Sequence, residues 1–568
     1  MHPRRLAVGC AALFILGCGE EDGTGPAPRT VVSTTPAADT LHAIGDTVAL
    51  SAAVEDETGS PVPGATVTWS SLDDAIATVT SNGDVGSVAN GSARIAATVD
   101  GAADTATVLV RQVAANILLP SPTDSIVPGD SIRFFATVVD SNQVAVDSIT
   151  EVDWASSDET VASTDATGSV FGHATGTAAI RASHEEIVDS VVVTVDWLRF
   201  VAISTGGHHT CGLTAGGDAY CWGYNSNGQS GDGTTTHNPE PVRVGGGLGF
   251  RAIDAGNWHA CGVTHEGAVY CWGSDVDGQI GTVNDELNNP SPARVSIDDS
   301  ITAVTAGGLH TCALGSDGGA YCWGDNAHGQ IGNGTTADAQ PTPAHVEYEG
   351  TIVSIAAGEL HTCGLEPDGS AYCWGYNALG ALGVGSTGGE HYTPAPVTGD
   401  ITFEAIAAGG GSCGIGDDGS AYCWGVDNHG EVGDGPDTTE CSIGEFSHSC
   451  RAAPSALDAQ LAFVQIDHGA SGSGGHACAI SSTGDGYCWG INRDGKVGNA
   501  DPDDTVYESP QRIAGAHEFA GISAGLDHSC AIATSGLTYC WGRNDERQIG
   551  DNSGLTQRQP VLVARQQP

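Results

Sequence analysis

Seven times between residues 209 and 542 the chain repeats one small construction, two cysteines ten positions apart with Trp-Gly after the second. The first cysteines are Cys211, Cys261, Cys312, Cys363, Cys413, Cys478 and Cys530, and their partners are Cys221, Cys271, Cys322, Cys373, Cys423, Cys488 and Cys540. Copies start 50 to 52 residues apart, with one step of 65. Self-similarity at this period restricts the chain to a propeller or a solenoid. A glycine stands six places after each first cysteine (Gly217, Gly267, Gly318, Gly369, Gly419, Gly484, Gly536). That is where a three-residue hairpin loop needs positive φ. With Thr214 and Asp218 closing the loop, Cys211 falls opposite Cys221 in the closer, non-hydrogen-bonded register, within disulfide reach. Each hairpin is therefore expected to carry its own bond.

The flanking residues choose between the two architectures. Tyr-Cys-Trp-Gly ends all seven copies, and strand alternation puts Tyr220 and Trp222 on one face and Cys221 on the other. Opposite the tyrosine stands a small residue each time: Gly212, Gly262, Ala313, Gly364, Gly414, Ala479, Ala531. The residue after it is always Leu, Val or Ile. Sheets apolar on both faces must pack between others like them, as blades around an axis do.

The N-terminus says where the cysteines live. "MHPRRLAVGCAALFILGC" places Arg4 and Arg5 before an apolar run too short to span a bilayer, the layout of a secretory signal. "ILGC" resembles a bacterial lipobox, which makes Cys18 the expected lipidation site, followed by a polar tether. In an exported chain, regularly spaced cysteines are read as disulfides rather than zinc or redox sites. Sixteen of the eighteen cysteines remain after Cys18, and Cys441 with Cys450 makes the eighth local pair. The formal charge of −50 argues against nucleic acid, whose phosphates need clustered Lys and Arg.

Before the repeats lie two cysteine-free segments with alternating strand patterns. One contains "ATVTWSSLDDAIATV" and the other "EVDWASSDETVAST", with Trp69 and Trp154 at matching positions. Short alternating strands suit small β-sandwiches, and the tryptophans are read as core. The segment around Trp69 resembles the bacterial immunoglobulin-like domains of the invasin/intimin group, which implies spacers or adhesion modules without an active site.

Each repeat continues through "GQSG", "GQIG" or a variant and a Pro-Val type strand into "AGGLHTC" and its relatives. With the hairpin and Trp-Gly, this resembles the regulator of chromosome condensation family over about Leu198 to Ala564. The resemblance implies a seven-bladed β-propeller. The expected fold is all-β. It comprises a lipoprotein signal peptide over 1–17, a tether over 18–28, Ig-like modules over 29–113 and 114–197, and the propeller over 198–568.

Candidate sites are few. His209, His259, His310, His361, His476 and His528 stand two places before the first cysteine, with Gly411 in the fifth copy. One imidazole per blade does not converge on a metal, so structural hydrogen bonding is the expectation. The acids Asp275, Asp277, Asp494, Asp501, Asp503 and Asp504 raise calcium, but their spacing lacks the ligand pattern of an EF-hand, and Asx-type turns explain them more simply. The long fifth repeat inserts "DTTECSIGEFSHSCRAAP", and Glu440, Phe446, His448 and Arg451 are its candidate binding residues. No nucleophile–base–acid set is found, so no catalytic residue, cofactor or metal ligand is assigned.

The expected function is a non-catalytic binding platform on a lipid-anchored envelope protein, outer-membrane or surface-located, its partner a protein or surface polymer. Family resemblance also implies two other precedents, guanine-nucleotide exchange on the GTPase Ran and a secreted inhibitor of β-lactamases. Export and acidity argue against exchange here. A polysaccharide-acting enzyme, which would need grouped carboxylates or a metal at one end of the ring, is the third reading.

Overall fold

The computed structural model describes residues 29–120, 126–283, 286–336, 339–435, 440–443, 446–457, 460–470, 474–502 and 504–567. The segments expected to be signal peptide and tether, residues 1–28 with Cys18, and Asp503 lie outside them. Two compact units result. One comprises Met1–Pro122, Ser131–Phe171 and Thr177–Val193, the other Thr123–Asp130, Gly172–Gly176 and Thr194–Pro568.

The first unit is built of antiparallel and mixed β-sheets. In its first module a four-stranded sheet (Ala38–Leu41, Ala102–Val110, Gly91–Val99, Thr68–Ser71) faces a three-stranded one (Thr47–Ala49, Asp84–Ser87, Ala77–Val79). Alternation along Ala102–Val110 sends Ala106, Val108 and Val110 into the core between them. Trp69 pairs with Ala97, and Trp154 of the second module pairs with Ala182, the same construction twice. Both indoles pack in their module's apolar cluster. Asp140 joins the modules. Its buried carboxylate accepts the Ile44 amide and Gln112 Nε2, both at 2.9 Å. Burial pushes its pKa up, and the amides of Gln112, Ile44, Val144 and Asn142 together pull it below the usual value.

In the second unit each repeat forms one antiparallel sheet from contiguous chain. The first runs Ala202–Thr205, His209–Leu213, Ala219–Gly223, Asn238–Arg243 in spatial order. Seven such sheets are present among the described residues, six of four strands and the fifth of five. Cys211 lies opposite Cys221, and its counterparts do likewise, with Cα–Cα distances of 4.0–4.1 Å across all seven bonded pairs. The eighth bond, Cys441–Cys450, spans 5.9 Å between Cα atoms.

The glycine of Tyr-Cys-Trp-Gly has a backbone reason. Its φ is +99 to +108° in every copy, and the ladder to the outermost strand slips there. A Cβ on Gly223 would meet the His208 carbonyl at 2.7 Å. The last glycine of the Gly-Gln-x-Gly turn is fixed from outside its own sheet. A Cβ on Gly332 would sit 2.5 Å from Nε1 of Trp374 in the next blade, and Gly550 stands in the same relation to Trp222.

That contact is how blades join. The seven tryptophans are fully buried. Trp272 Nε1 donates to the Gln229 carbonyl at 2.8 Å, Trp323 to Gln279 at 2.9 Å, and Trp374 to Gln330 at 3.0 Å. Trp222 makes the same bond to Gln548 of the seventh repeat at 3.0 Å. The seventh sheet also meets the first through Thr205 and Ser523, whose hydroxyls lie 2.8 Å apart. Among the described residues the seventh and first sheets therefore meet by adjacency, with no strand shared between repeats.

One element differs from the sequence expectation of a boundary at 197/198. Val127 packs in the cluster of Leu198, Phe200, Tyr220, Trp222 and Val563. Asp130 accepts the Tyr220 hydroxyl at 3.0 Å and pairs with Arg565. Short pieces of the second cysteine-free segment, this one and Gly172–Gly176 among them, are thus part of the propeller unit.

Candidate functional site

The first strands of all seven sheets line an axial channel of about 290 Å³. Its wall is Ser204, Asp254, Thr305, Ala356, Ala407, Asp467 and Ser523 at equivalent positions. Asp254 accepts Ser204 Oγ at 2.6 Å and the Ala306 amide at 2.8 Å. Asp467 accepts Ser523 Oγ at 3.1 Å and the Ala524 amide at 2.8 Å. Both carboxyls are half-buried, and desolvation raises them, Asp467 to about 6.

Just outside the channel runs the histidine belt. In five of the six histidines Nε2 meets the hydroxyl that follows the equivalent histidine, or its replacement, in the next blade. The pairs are His259–Thr311 at 2.8 Å, His310–Thr362 at 2.9 Å, His361–Ser412 at 2.7 Å, His476–Ser529 at 2.7 Å and His528–Thr210 at 2.8 Å. Thr210, Thr311, Thr362 and Ser529 donate in turn to the same carbonyl that their blade's tryptophan uses, as Thr311 does to Gln279 at 2.8 Å, while Ser412 donates to the Ala381 carbonyl without Trp424 joining it. The imidazoles are sealed. Burial drives His209, His259, His361 and His528 down to about 3 and His310 to about 4. They are neutral struts between blades.

Two gaps in the belt are informative. Where the fifth repeat has Gly411, the next blade has Ala477 in place of the hydroxyl, and both partners of that bond are missing together. The imidazole of His468 fills the space, 3.2 Å from where a Cβ on Gly411 would lie. His209, by contrast, faces Ala260, and both its ring nitrogens are buried without a hydrogen-bond partner.

The acidic turn residues have local employment. Asp275 accepts the Ile280 amide at 3.0 Å, and Asn225, Asn326, Asn377, Asp427, Asn492 and Asn544 each accept the amide five residues on in the same way. Asp277 is raised by burial and by nearby Asp325. Asp494 and Asp504 sit at positive φ, Asp504 paired with Arg493 at 3.4 Å, and Asp501 accepts the Tyr507 hydroxyl at 2.5 Å. Among the described residues no three His, Cys, Asp or Glu side chains converge as a metal site.

In the fifth repeat Glu440–Ile443 pairs with Phe446–Ala456 to make an outermost hairpin, with Cys441 opposite His448. His448 Nδ1 lies 3.2 Å from Asn428. Arg451 differs from its expected role in recognition. It is buried, with Nε 2.6 Å and Nη2 2.8 Å from Asp434 and Nη1 3.4 Å from Asp427. Its charge is consumed within the blade. The side chains of Glu440 and Phe446 lie outside the description.

Sequence reasoning missed two features. Phe200, Phe250 and Phe403 pack against Gly212, Gly262 and Gly414, so in these three blades the small residue opposite the tyrosine makes room for a ring from its own blade, and at Gly364 the neighbour is Ile352. Their signal was an apolar residue ten or eleven places before the first cysteine. The other is an aromatic cluster at the channel end of blades one and two, where His208, Tyr224, His237 and Trp258 meet. No repeat pattern announces it.

A ring of seven disulfide-stapled, tryptophan-locked sheets defines a repeat β-propeller. The profile of the RCC1-like domain matches residues 154–448, and that of the regulator of chromosome condensation repeat matches 483–532 and 519–548. The chain belongs to the RCC1-like domain family, with a group 2 bacterial Ig-like domain matched at 29–110. It is 27% identical over 378 residues to the ultraviolet-B receptor UVR8 of Arabidopsis thaliana, covering 65% of this chain and 83% of that protein. It is 26% identical over 314 residues to the human regulator of chromosome condensation, covering 50% and 70%. Among solved structures, human WBSCR16 matches with a TM-score of 0.52 at 20% identity (62% of this chain, 91% of that one). Yeast RCC1 (Prp20) bound to Kap60 matches at 0.53 and 21% (61% and 83%). Structural likeness at such identities speaks for the fold alone.

Proposed function

We propose that this chain is an exported envelope lipoprotein that works by binding, without turnover. Cys18 would carry the lipid, the Ig-like modules would act as spacers, and the propeller would present its end loops to a protein or surface polymer. One observation carries the reading: the side chains best suited to chemistry, the belt histidines and the channel carboxylates, are spent on holding blades together. What remains variable between repeats is loop chemistry on a rigid frame, the usual place for recognition. Relatives named as a receptor and a regulator support the same class of role.

Capture from envelope extracts by the full oxidised chain tests this. The expected result is a specific partner retained without chemical change, and a Cys18→Ser chain released from the membrane fraction. Accelerated nucleotide release from a small GTPase, or breakdown of a captured polysaccharide, would overturn the non-catalytic reading.

A further inference from the structure

Next to the aromatic cluster, between the seventh and first blades, lies a cleft of about 780 Å³. Ser226, Thr236, His237, Asp545, Arg547 and Asn552 line it together with Pro239, so its wall is mainly hydroxyl, amide and planar charged groups with a smaller apolar part. His237 belongs to both features. It packs on Tyr224 at 4.7 Å between centroids and is held by Glu546 at 3.2 Å and Ser226 Oγ at 3.0 Å.

The cluster is filled. Its rings lie 4.7 to 6.4 Å apart, mostly edge to face, so it has no interior for a cation and offers instead a half-buried outer platform. The Asp545 carboxylate in the polar wall is preorganised. Arg543 holds Asp545 through two bonds of 2.7 and 2.6 Å, yet the Asp545 side chain is 54% exposed and each oxygen keeps a lone pair.

An aromatic platform beside a fixed carboxylate and the guanidinium and amide groups of Arg547 and Asn552 suits a ligand with both C–H faces and vicinal hydroxyls. A chain of net charge −50 disfavours a polyanion. From this combination we infer that the cleft and the Tyr224–Trp258 platform form a binding site for a neutral saccharide. This rests on the binding-platform reading and names its ligand class.

The full oxidised chain is probed on an array of neutral oligosaccharides, and the strongest hit is titrated calorimetrically. Asp545→Ala and Trp258→Ala should each weaken binding by about tenfold or more, while Glu266→Gln at the opposite, hairpin end leaves it unchanged. Without any mutation, the bound sugar should slow hydrogen exchange over residues 224–237 and 545–552 and nowhere on the hairpin end. No neutral glycan bound, with a protein partner still captured, would overturn the site and leave the platform standing. A glycan bound and then cleaved would do the reverse.

Discussion

At the scale of single residues a relay of neutral imidazole, hydroxyl and carbonyl crosses five of the seven seams. At the seam of Gly411 and Ala477 both partners are absent, whereas His209 is present but buried against Ala260 with nothing to bond. A threonine there would find an acceptor waiting in the Gln229 carbonyl, as Thr311 finds Gln279. Ala260→Thr should therefore stabilise the fold by about 1 kcal/mol, and Thr311→Ala should cost about 1–3 kcal/mol by orphaning His259. A lower melting temperature for Ala260→Thr would refute the relay as the source of seam stability. The same histidines set a pH dependence. Their folded pKa values lie near 3 to 4 against 6.5 unfolded, so below 6.5 the unfolded chain binds more protons. Their contribution is complete above pH 6.5 and drains away as pH falls toward 4. Asp275, Asp427 and Asp467, raised to about 6 by burial, act in the opposite sense between 6 and 3.8. The belt histidines outnumber them, so melting at pH 4.5 should fall below that at pH 7. A His310→Gln chain should show a shallower fall, which separates the imidazoles from the general easing of charge repulsion by acid.

At the scale of the blade, the hairpin was legible in the chain. The ten-residue cysteine spacing, the glycine at the loop and strand alternation were local facts, and the register they require is the one found, Cys211 opposite Cys221. Trp222 was legible as buried, yet its acceptor was not, because Gln548 lies 326 positions away and its side chain plays no part in the bond. The belt was half legible: histidines were visible as a column, while their hydroxyl partners sit in the next repeat at a position that reads as an ordinary strand Thr or Ser. Arg451 was misplaced because a charged residue in a long insert looks exposed until Asp427 and Asp434 are folded onto it. The disulfides give a blade-level expectation. Replacing Cys312 and Cys322 together by serine should cost about 2–3 kcal/mol, the chain-entropy cost for so short a loop. Chemical denaturation would show it, and an unchanged midpoint would mean that the seams already hold the hairpin.

At the scale of the propeller unit, closure asks the most of residues that carry no repeat signature. The seam between the seventh and first sheets has the tryptophan bond found at every other seam but that of Trp424, and it also receives the segment of residues 126–130. Val127 enters its apolar cluster, Pro128 and Asp130 accept from Arg565, and Asp130 holds the Tyr220 hydroxyl. Arg565 also reaches the Pro241 carbonyl at 2.8 Å, tying the end of the chain to the outer strand of the first blade. A ring is only as strong as its weakest junction, because opening one seam exposes two apolar faces at once. Burying Val127 contributes about 1.5–3 kcal/mol, and a charge in its place would have no partner. In the full chain Val127→Asp should therefore lower the melting temperature of the propeller, and it should speed hydrogen exchange first in Ala202–Thr205 and Phe519–Ala524. A propeller cut at residue 198 should behave like that variant, and one begun at residue 126 should not. If exchange instead rose evenly around all seven sheets, the seam would be no weaker than its neighbours, and the segment would be packing on a ring already shut.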